Sequence, residues 1–197
     1  MFTGIVQSVG EVRAVTPRGG DVELLIGAPG LDLKSVAIGD SISCSGCCLT
    51  VTRIEGDAFA ADASLETLNV TTLGQWAAGQ RLNLEKALCA GQPLGGHYVT
   101  GHVDGIASVV DRVNDARSIR VQFEAPVPLA RYIARKGSVC IDGVSLTVND
   151  VEGARFSVNL IPHTLEVTTL NEYRAGTRVN LEVDIIARYL ERLNAPV

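Results

Sequence analysis

The sequence predicts an all-β protein built twice over, and three observations carry that expectation. Gly46-Cys47-Cys48-Leu49-Thr50-Val51 returns as Gly143-Val144-Ser145-Leu146-Thr147-Val148, a displacement of 145 − 48 = 97 residues. In the same register, without a gap, Thr3-Gly4 falls on Thr100-Gly101, Thr71-Thr72-Leu73 on Thr168-Thr169-Leu170, and Asn83-Leu84-Glu85 on Asn180-Leu181-Glu182. Short apolar runs alternate with Gly, Pro and Asp turns, the pattern of a β-barrel or sandwich. A period near half of the 197 residues marks a duplicated domain. Solenoid units are much shorter, about 20–50 residues.

Within the first half, residues 1–15 carry Ile5, Val6, Val9, Val12 and Val15 and read as a strand. Pro17 to Asp21 has turn composition, and Val22 to Ile26 is the next strand, ended by Pro29-Gly30. Leu31 to Val36 has room for one helical turn. A strand opens at Ser41 and runs through a break at Gly46 to Ile54. Glu55-Gly56-Asp57 is a hairpin turn and Ala58 to Ala63 the return strand. Ser64 is placed to cap a short helix over Leu65 to Leu68. Arg81 to Glu85 alternates and closes the half. Cys89 to Gly96, rich in Gly, is the linker.

The second half replays the plan. Strands are expected over Val99 to Val113, Ser118 to Phe123, Val139 to Val151, Phe156 to Val158 and Arg178 to Val183. Pro126-Val127-Pro128 is read as a break before a short helix at Leu129 to Ala134. The tail differs. Asp184 stands as N-cap before Ile185, Ile186, Tyr189, Leu190 and Leu193, which share one helical face. So short a helix is marginal alone in water, and its stripe needs a covering surface. The expected units are residues 1–90, 97–184 and a helical tail at 185–197.

Composition excludes several function classes. A net charge of −5 without a Lys/Arg cluster disfavours nucleic acid. No apolar run approaches the roughly 20 residues of a membrane span, and the N-terminus has neither the charge nor the apolar run of a secretory signal. The cytoplasm is the expected compartment. Five cysteines, two of them adjacent, make a poor disulfide framework. Cys44-x-x-Cys47 lacks the second ligand pair of a zinc site, and the repeat puts Ile141 and Val144 there. Most of these thiols read as small buried hydrophobes.

Five motifs in order then carry a resemblance. They are Met1-Phe2-Thr3-Gly4-Ile5-Val6, Gly46 to Val51, Gly95-Gly96-His97 with Gly101-His102-Val103, Ile141 to Val148, and Leu160-Ile161-Pro162 with Thr164-Leu165. Over essentially its whole length the chain resembles the riboflavin synthase alpha-chain family of duplicated lumazine-binding barrels. The resemblance implies two similar six-stranded antiparallel Greek-key β-barrels and a short C-terminal α-helix that helps form a homotrimer. It implies dismutation of two molecules of 6,7-dimethyl-8-ribityllumazine. One gives a four-carbon unit to the other, and the products are riboflavin and 5-amino-6-ribitylamino-uracil. No metal or redox cofactor takes part, and one lumazine binds each barrel. The productive site joins the N-terminal barrel of one subunit to the C-terminal barrel of the next. The rival of the same fold is a protein that holds a lumazine or flavin without turning it over.

The resemblance nominates Cys48, His102, Ser145, Thr147, Lys136 and Asp184 for chemistry. In register Cys48 faces Ser145, and Ile5 faces His102. Cys48 is a candidate nucleophile, a water-positioning group, or a plain contact; its bland reading is a small buried residue. His102 is a candidate for proton transfer or polarisation, against a structural histidine. Ser145 and Thr147 offer hydroxyls, against backbone-bonded turn residues. Lys136 suits developing negative charge, against a solvated lysine. Asp184 suits a ribityl hydroxyl or a proton, and its N-cap reading is compatible with both. Substrate contacts are implied at Gly4, Ile5, Val6, Ser41, Leu49, Thr50, Asp62, Ala63, Ser64, Leu65, Glu66 and Thr67. The first-half segments, Gly4 to Val6 included, are assigned to the N-terminal barrel. Gly101, Val103, Leu146, Leu160, Ile161, Pro162, His163, Thr164 and Leu165 are assigned, with His102, to the C-terminal barrel. Phe2 packs near the site or anchors the N-terminus. Ser45 and His163 depart from the family pattern, where Asn and Glu are expected.

Overall fold

The structure is a computed structural model and describes residues 1–195. Twelve strands form two closed antiparallel barrels of six. In the first, β1 (Ser8–Arg18), β2 (Asp21–Gly27), β3 (Ser41–Cys44), β4 (Cys47–Glu55), β5 (Ala58–Ala63) and β6 (Arg81–Lys86) close in the order β1-β2-β5-β4-β3-β6. The β2-to-β5 neighbour is a Greek-key crossing. The second repeats it with β7 (Gly105–Asp115), β8 (Ser118–Glu124), β9 (Ser138–Ile141), β10 (Val144–Glu152), β11 (Arg155–Leu160) and β12 (Arg178–Val183). Closure leaves no unpaired sheet edge, which suits halves this small.

Alternation along the strands fills each barrel. Leu24, Ile26, Ile42, Val51, Phe59 and Leu84 are fully buried in the first; Val121, Phe123, Ile141, Val148 and Leu181 are in the second. Each such side chain contributes roughly 1.5–3 kcal/mol of burial. Phe123 and Phe156 stack at 5.4 Å between ring centroids.

Short helices punctuate the strands: α1 (Leu65–Val70), α2 (Val127–Ala130), α3 (Pro162–Val167) and α4 (Ile185–Asn194). Ser64 caps α1, its side chain accepting from the Thr67 N–H at 3.3 Å. Asp184 caps α4, accepting from the Ile186 N–H at 3.0 Å. The tail helix expected over 185–197 is seen to Asn194, and residues 196 and 197 lie outside the described residues. A single 3₁₀ turn at Leu33–Ser35 fills the expected helical turn. Two expectations fail. The helix expected over Leu129 to Ala134 is Val127–Ala130 instead: it starts early because proline in a first turn lacks only an N–H the helix would not use, and it stops before Arg131. Residues 1–7 and 99–104 are not in the strands they were expected to begin. Gly4 at φ +75° and Gly101 at φ +79° bend both segments out of extended geometry.

Those segments become the seam between the barrels. Phe2 and Val99 form an isolated antiparallel bridge, the Phe2 N–H donating to the Val99 carbonyl at 2.7 Å. Phe2, Val99 and Cys140 make a small core there, with Cys48 and Ala87 packed against it. Two buried asparagines finish the seam symmetrically. Asn83 Oδ1 accepts from Thr169 N–H, and Asn180 Oδ1 from Thr72 N–H, each at 2.8 Å. Their amide nitrogens donate to the carbonyls of Asp142 and Ser45.

Candidate functional site

Each bent segment is pinned by a buried carboxylate of its own barrel. Glu85 accepts from the Thr3 N–H at 2.7 Å, the Thr3 hydroxyl at 2.6 Å and the Gly4 N–H at 2.9 Å. Glu182 accepts from the Thr100 N–H and hydroxyl at 2.7 Å and the Gly101 N–H at 3.0 Å. Burial pushes both carboxyls up, against the pull of those donors. The tip of each segment then reaches the opposite barrel. Cys48 N–H donates to the Gly101 carbonyl at 2.9 Å, and Ser145 N–H to the Gly4 carbonyl at 2.8 Å. Val103 packs on the N-terminal core and Val6 on the C-terminal core.

This corrects the assignment by halves. Gly101-His102-Val103 lies over the Cys48 wall of the N-terminal barrel, and Gly4-Ile5-Val6 over the Ser145 wall of the C-terminal barrel. The cause is the sharp bend after Thr3 and Thr100, which carries each segment across the seam. His102, read as a strand residue, is an exposed loop residue instead.

Around Cys48 the pieces enclose a cavity of about 190 Å³, lined by Cys48, Glu66, Thr67 and Val70 on one side and Gly101 to Val103 on the other. His102 and Val103 also border a second hollow of about 220 Å³ with Asp104, Val183, Ile185 and Arg188, at the start of α4. The barrel wall explains which side chains can serve. Cys48 and Thr50 face outward on β4, whereas Leu49 faces the core at 3% exposed. Ala63, Leu146 and Leu160 are likewise core side chains. At these four positions only backbone groups are open to a ligand. Ser41 pairs with Thr50 in register and borders a separate groove with Lys86 and Cys89. Asp62, Ser64, Leu65 and Glu66 are exposed beside Thr67.

The second site is built from the same parts. Ser145 and Thr147 face outward on β10, next to α3, where Pro162 and His163 are exposed and Thr164 and Leu165 half-buried. Ile161 caps α3 without a side-chain bond and is 53% exposed. Ile5 is 50% exposed above this wall. Lys136 takes a left-handed conformation, φ +66°, where the first repeat has Gly39 at φ +96°. Asp184 is half-buried at the head of α4.

Sequence motifs contain His97 and the two glutamates but give them no role. The Ser145 hydroxyl is 2.7 Å from Nδ1 of His97, which directly follows the linker and is only 8% exposed. The Glu85 and Glu182 pins were visible only as the matched Asn-Leu-Glu runs of the repeat. Three of the five thiols are buried: Cys47 is pushed up to about 12 by desolvation, and Cys44 and Cys140 well above the ordinary range. They stay protonated at neutral pH; of the other two, the exposed Cys89 lies in the separate groove beside Ser41, and the half-buried Cys48 is the thiol of the site. A larger cavity, about 290 Å³, lies at the seam between Trp76, Arg81, Tyr173 and Arg178, and none of the candidate residues lines it.

Comparison with known proteins finds the same two repeats. The lumazine binding domain matches residues 3–87 and again 100–184. The riboflavin synthase of Photobacterium phosphoreum is 45% identical over 193 residues, covering 98% of this chain and 88% of its own. That of Brucella abortus (strain 2308) is 45% identical over 198 residues, with 98% of both covered. The solved structure of LumP complexed with 6,7-dimethyl-8-(1'-D-ribityl) lumazine superposes with a TM-score of 0.84 at 28% identity, over 93% of this chain and 99% of that one. With its domain matched twice and its length shared with these enzymes, this chain belongs to the riboflavin synthase family.

Proposed function

We propose that the chain catalyses its family's reaction: two molecules of 6,7-dimethyl-8-ribityllumazine become riboflavin and 5-amino-6-ribitylamino-uracil by transfer of a four-carbon unit. The observation that carries the reading is the pair of matching sites with unlike side chains, Cys48 with His102 and Ser145 with His97. Two identical substrates require two similar seats, and donor and acceptor require different help. Holding both converts a bimolecular encounter into an effectively unimolecular one, worth roughly 7–11 kcal/mol in the best cases. The reaction is a dismutation, so the carbon unit lost by one substrate is gained by the other.

In this reading the barrels of residues 1–90 and 97–184 each offer a wall to one lumazine, and the crossing segment of the other half completes each seat. Strand-edge backbone groups at Leu49, Ala63, Leu146 and Leu160 face the pyrimidine edge, while Ser64, Thr67 and Thr164 take the ribityl chain. Cys48 and His102 stand at one reacting ring; Ser145, Thr147, Lys136 and Asp184 stand at the other. His102 is the candidate for moving a proton from a ring methyl. The two seats that react belong to neighbouring subunits of a homotrimer. Support for assembly comes from α4, whose Ile186, Tyr189, Leu190 and Leu193 are between 54% and 80% exposed on one short helix. The cytoplasm is the proposed compartment, in keeping with five unpaired cysteines. Among the described residues no helix is long and apolar enough to cross a membrane.

The test is direct. Purified protein is mixed with 6,7-dimethyl-8-ribityllumazine alone and riboflavin is followed by absorbance. Riboflavin and the uracil appear in equal amounts if the reading holds. A tightly held lumazine that is never consumed would select the non-catalytic rival.

A further inference from the structure

Directly after the linker, His97 brings its imidazole to the Ser145 wall. The imidazole is held firmly. Its backbone N–H donates to the Thr3 carbonyl at 3.2 Å, and Nδ1 sits 2.7 Å from Ser145 Oγ. Gly96 permits this approach: a Cβ there would lie 2.0 Å from the Thr3 carbonyl oxygen and 2.9 Å from Ser145 Cβ. The other ring nitrogen, Nε2, is buried without a partner among the described residues. Burial pushes the imidazole pKa down, and the negative charge of Asp184 opposes that shift. A buried polar atom left unpaired is costly and uncommon, and such exceptions ask for a role.

We propose that His97 is a positioning residue of the C-terminal site, fixing the Ser145 hydroxyl toward a lumazine bound there and so making that site chemically unlike its Cys48 counterpart. The inference rests on the reading that a lumazine occupies the C-terminal barrel. A free serine hydroxyl rotates among its staggered positions. With Nδ1 on one side, Ser145 Oγ keeps a single preferred orientation in either tautomer of the ring. It then meets the ligand with its lone pairs or its proton already aimed, and the ordering cost is met before binding. The N-terminal site has a thiol at the matching position and receives its histidine, His102, from an exposed loop. No hydrogen bond holds the His102 ring among the described residues, whereas the His97 ring is tied to Ser145.

The experiment compares three variants at His97 with the unaltered protein. Steady-state turnover is measured, together with equilibrium titration by 8-ribityllumazine, which lacks the reacting methyl groups. His97→Ala is expected to lower kcat about tenfold and to weaken one of two analogue sites about tenfold, leaving the other unchanged. His97→Asn, whose amide reaches the place of Nδ1, is expected to recover to within about threefold, whereas His97→Gln, whose amide mimics Nε2, is not. In a Ser145→Ala background, His97→Ala should add less than about twofold, as expected for residues acting through one bond. Unaltered turnover and binding in His97→Ala would overturn the inference. So would equal losses with and without Ser145. If His97→Ala does not fold, equal activity of the Asn and Gln variants overturns it just as well. A single analogue site on the unaltered chain would sink the reading of two seats, while two sites indifferent to His97 would sink this inference alone.

Discussion

The two candidate sites share one backbone and many side chains, Leu49 with Leu146, Thr50 with Thr147 and Thr67 with Thr164, but differ at Cys48 against Ser145 and Ile5 against His102. In both, a glycine carbonyl from the opposite half accepts from a wall residue, Cys48 at 2.9 Å and Ser145 at 2.8 Å. In both, a buried glutamate holds the bent segment, and a short helix stands beside the wall. Above that common frame, one site has a thiol and an exposed histidine, the other a hydroxyl, an isoleucine and a buried histidine. Duplication has kept what sets geometry and released what sets chemistry. The crossing of segments adds a second lesson: neither site is complete without a strip of the other half.

The sharpest way to break that symmetry is at its centre. Phe2 is fully buried at the seam, next to Val99, Cys140 and Cys48. Phe2→Ala should cost about 3–5 kcal/mol in denaturant unfolding and abolish turnover, because both sites share this packing. Loss of only one analogue site would contradict the shared-seam account.

The glycine pair tests equivalence next. A Cβ on Gly101 would sit 2.5 Å from Cys48 Cβ, and one on Gly4 2.6 Å from Ser145 Cβ, each at a positive φ. Gly101→Ala and Gly4→Ala should each cost about 2–4 kcal/mol from strain and overpacking. In the folded variants, Gly101→Ala should weaken ligand binding at the Cys48 wall and Gly4→Ala at the Ser145 wall. The reverse pattern would restore the assignment by halves.

A chemical difference between the sites predicts a kinetic one. His102→Ala should reduce kcat about a hundredfold with KM changed less than about threefold. Equal losses in both would reduce His102 to a binding residue.

The smallest expected effect concerns Asp142, the counterpart of Ser45 at the seam. Its carboxylate accepts from Tyr173 hydroxyl at 2.6 Å and Asn180 N–H at 2.7 Å, yet burial raises it to about 7. The folded state therefore keeps this proton at pH values where the unfolded chain, near 3.8, has lost it. Stability from this group is full below about pH 4 and declines as pH rises toward 7. Asp142→Asn should flatten that part of the stability profile and raise the melting temperature at pH 8 relative to the unaltered protein. An unchanged slope would place the titration elsewhere.

Much of the fold was legible because duplication prints the same strand signals twice. The hairpin turn at Glu55 to Asp57, the Ser64 and Asp184 caps and the barrel strands all follow local rules of period and turn chemistry. The crossing of Gly4 and Gly101 to the opposite barrel was not legible. Val6 and Val103 look like ordinary strand residues in one dimension, and only the three-dimensional closure decides which core they join. Leu49, Ala63, Leu146 and Leu160 illustrate a related limit: a motif names positions, while strand alternation decides which side chain faces the ligand. His97 was in view only as part of the Gly95-Gly96-His97 motif, and its contact with Ser145 is set by the three-dimensional closure of the seam, which the motif does not state.

The most direct test of the account is a crystal structure of the chain with 8-ribityllumazine. The account predicts one ligand bounded by Cys48, Thr67 and His102 of a single chain, and another bounded by Ser145, Thr164 and Ile5. A ligand at Ser145 touched by His102 of the same chain, with Ile5 beside Cys48, would contradict it.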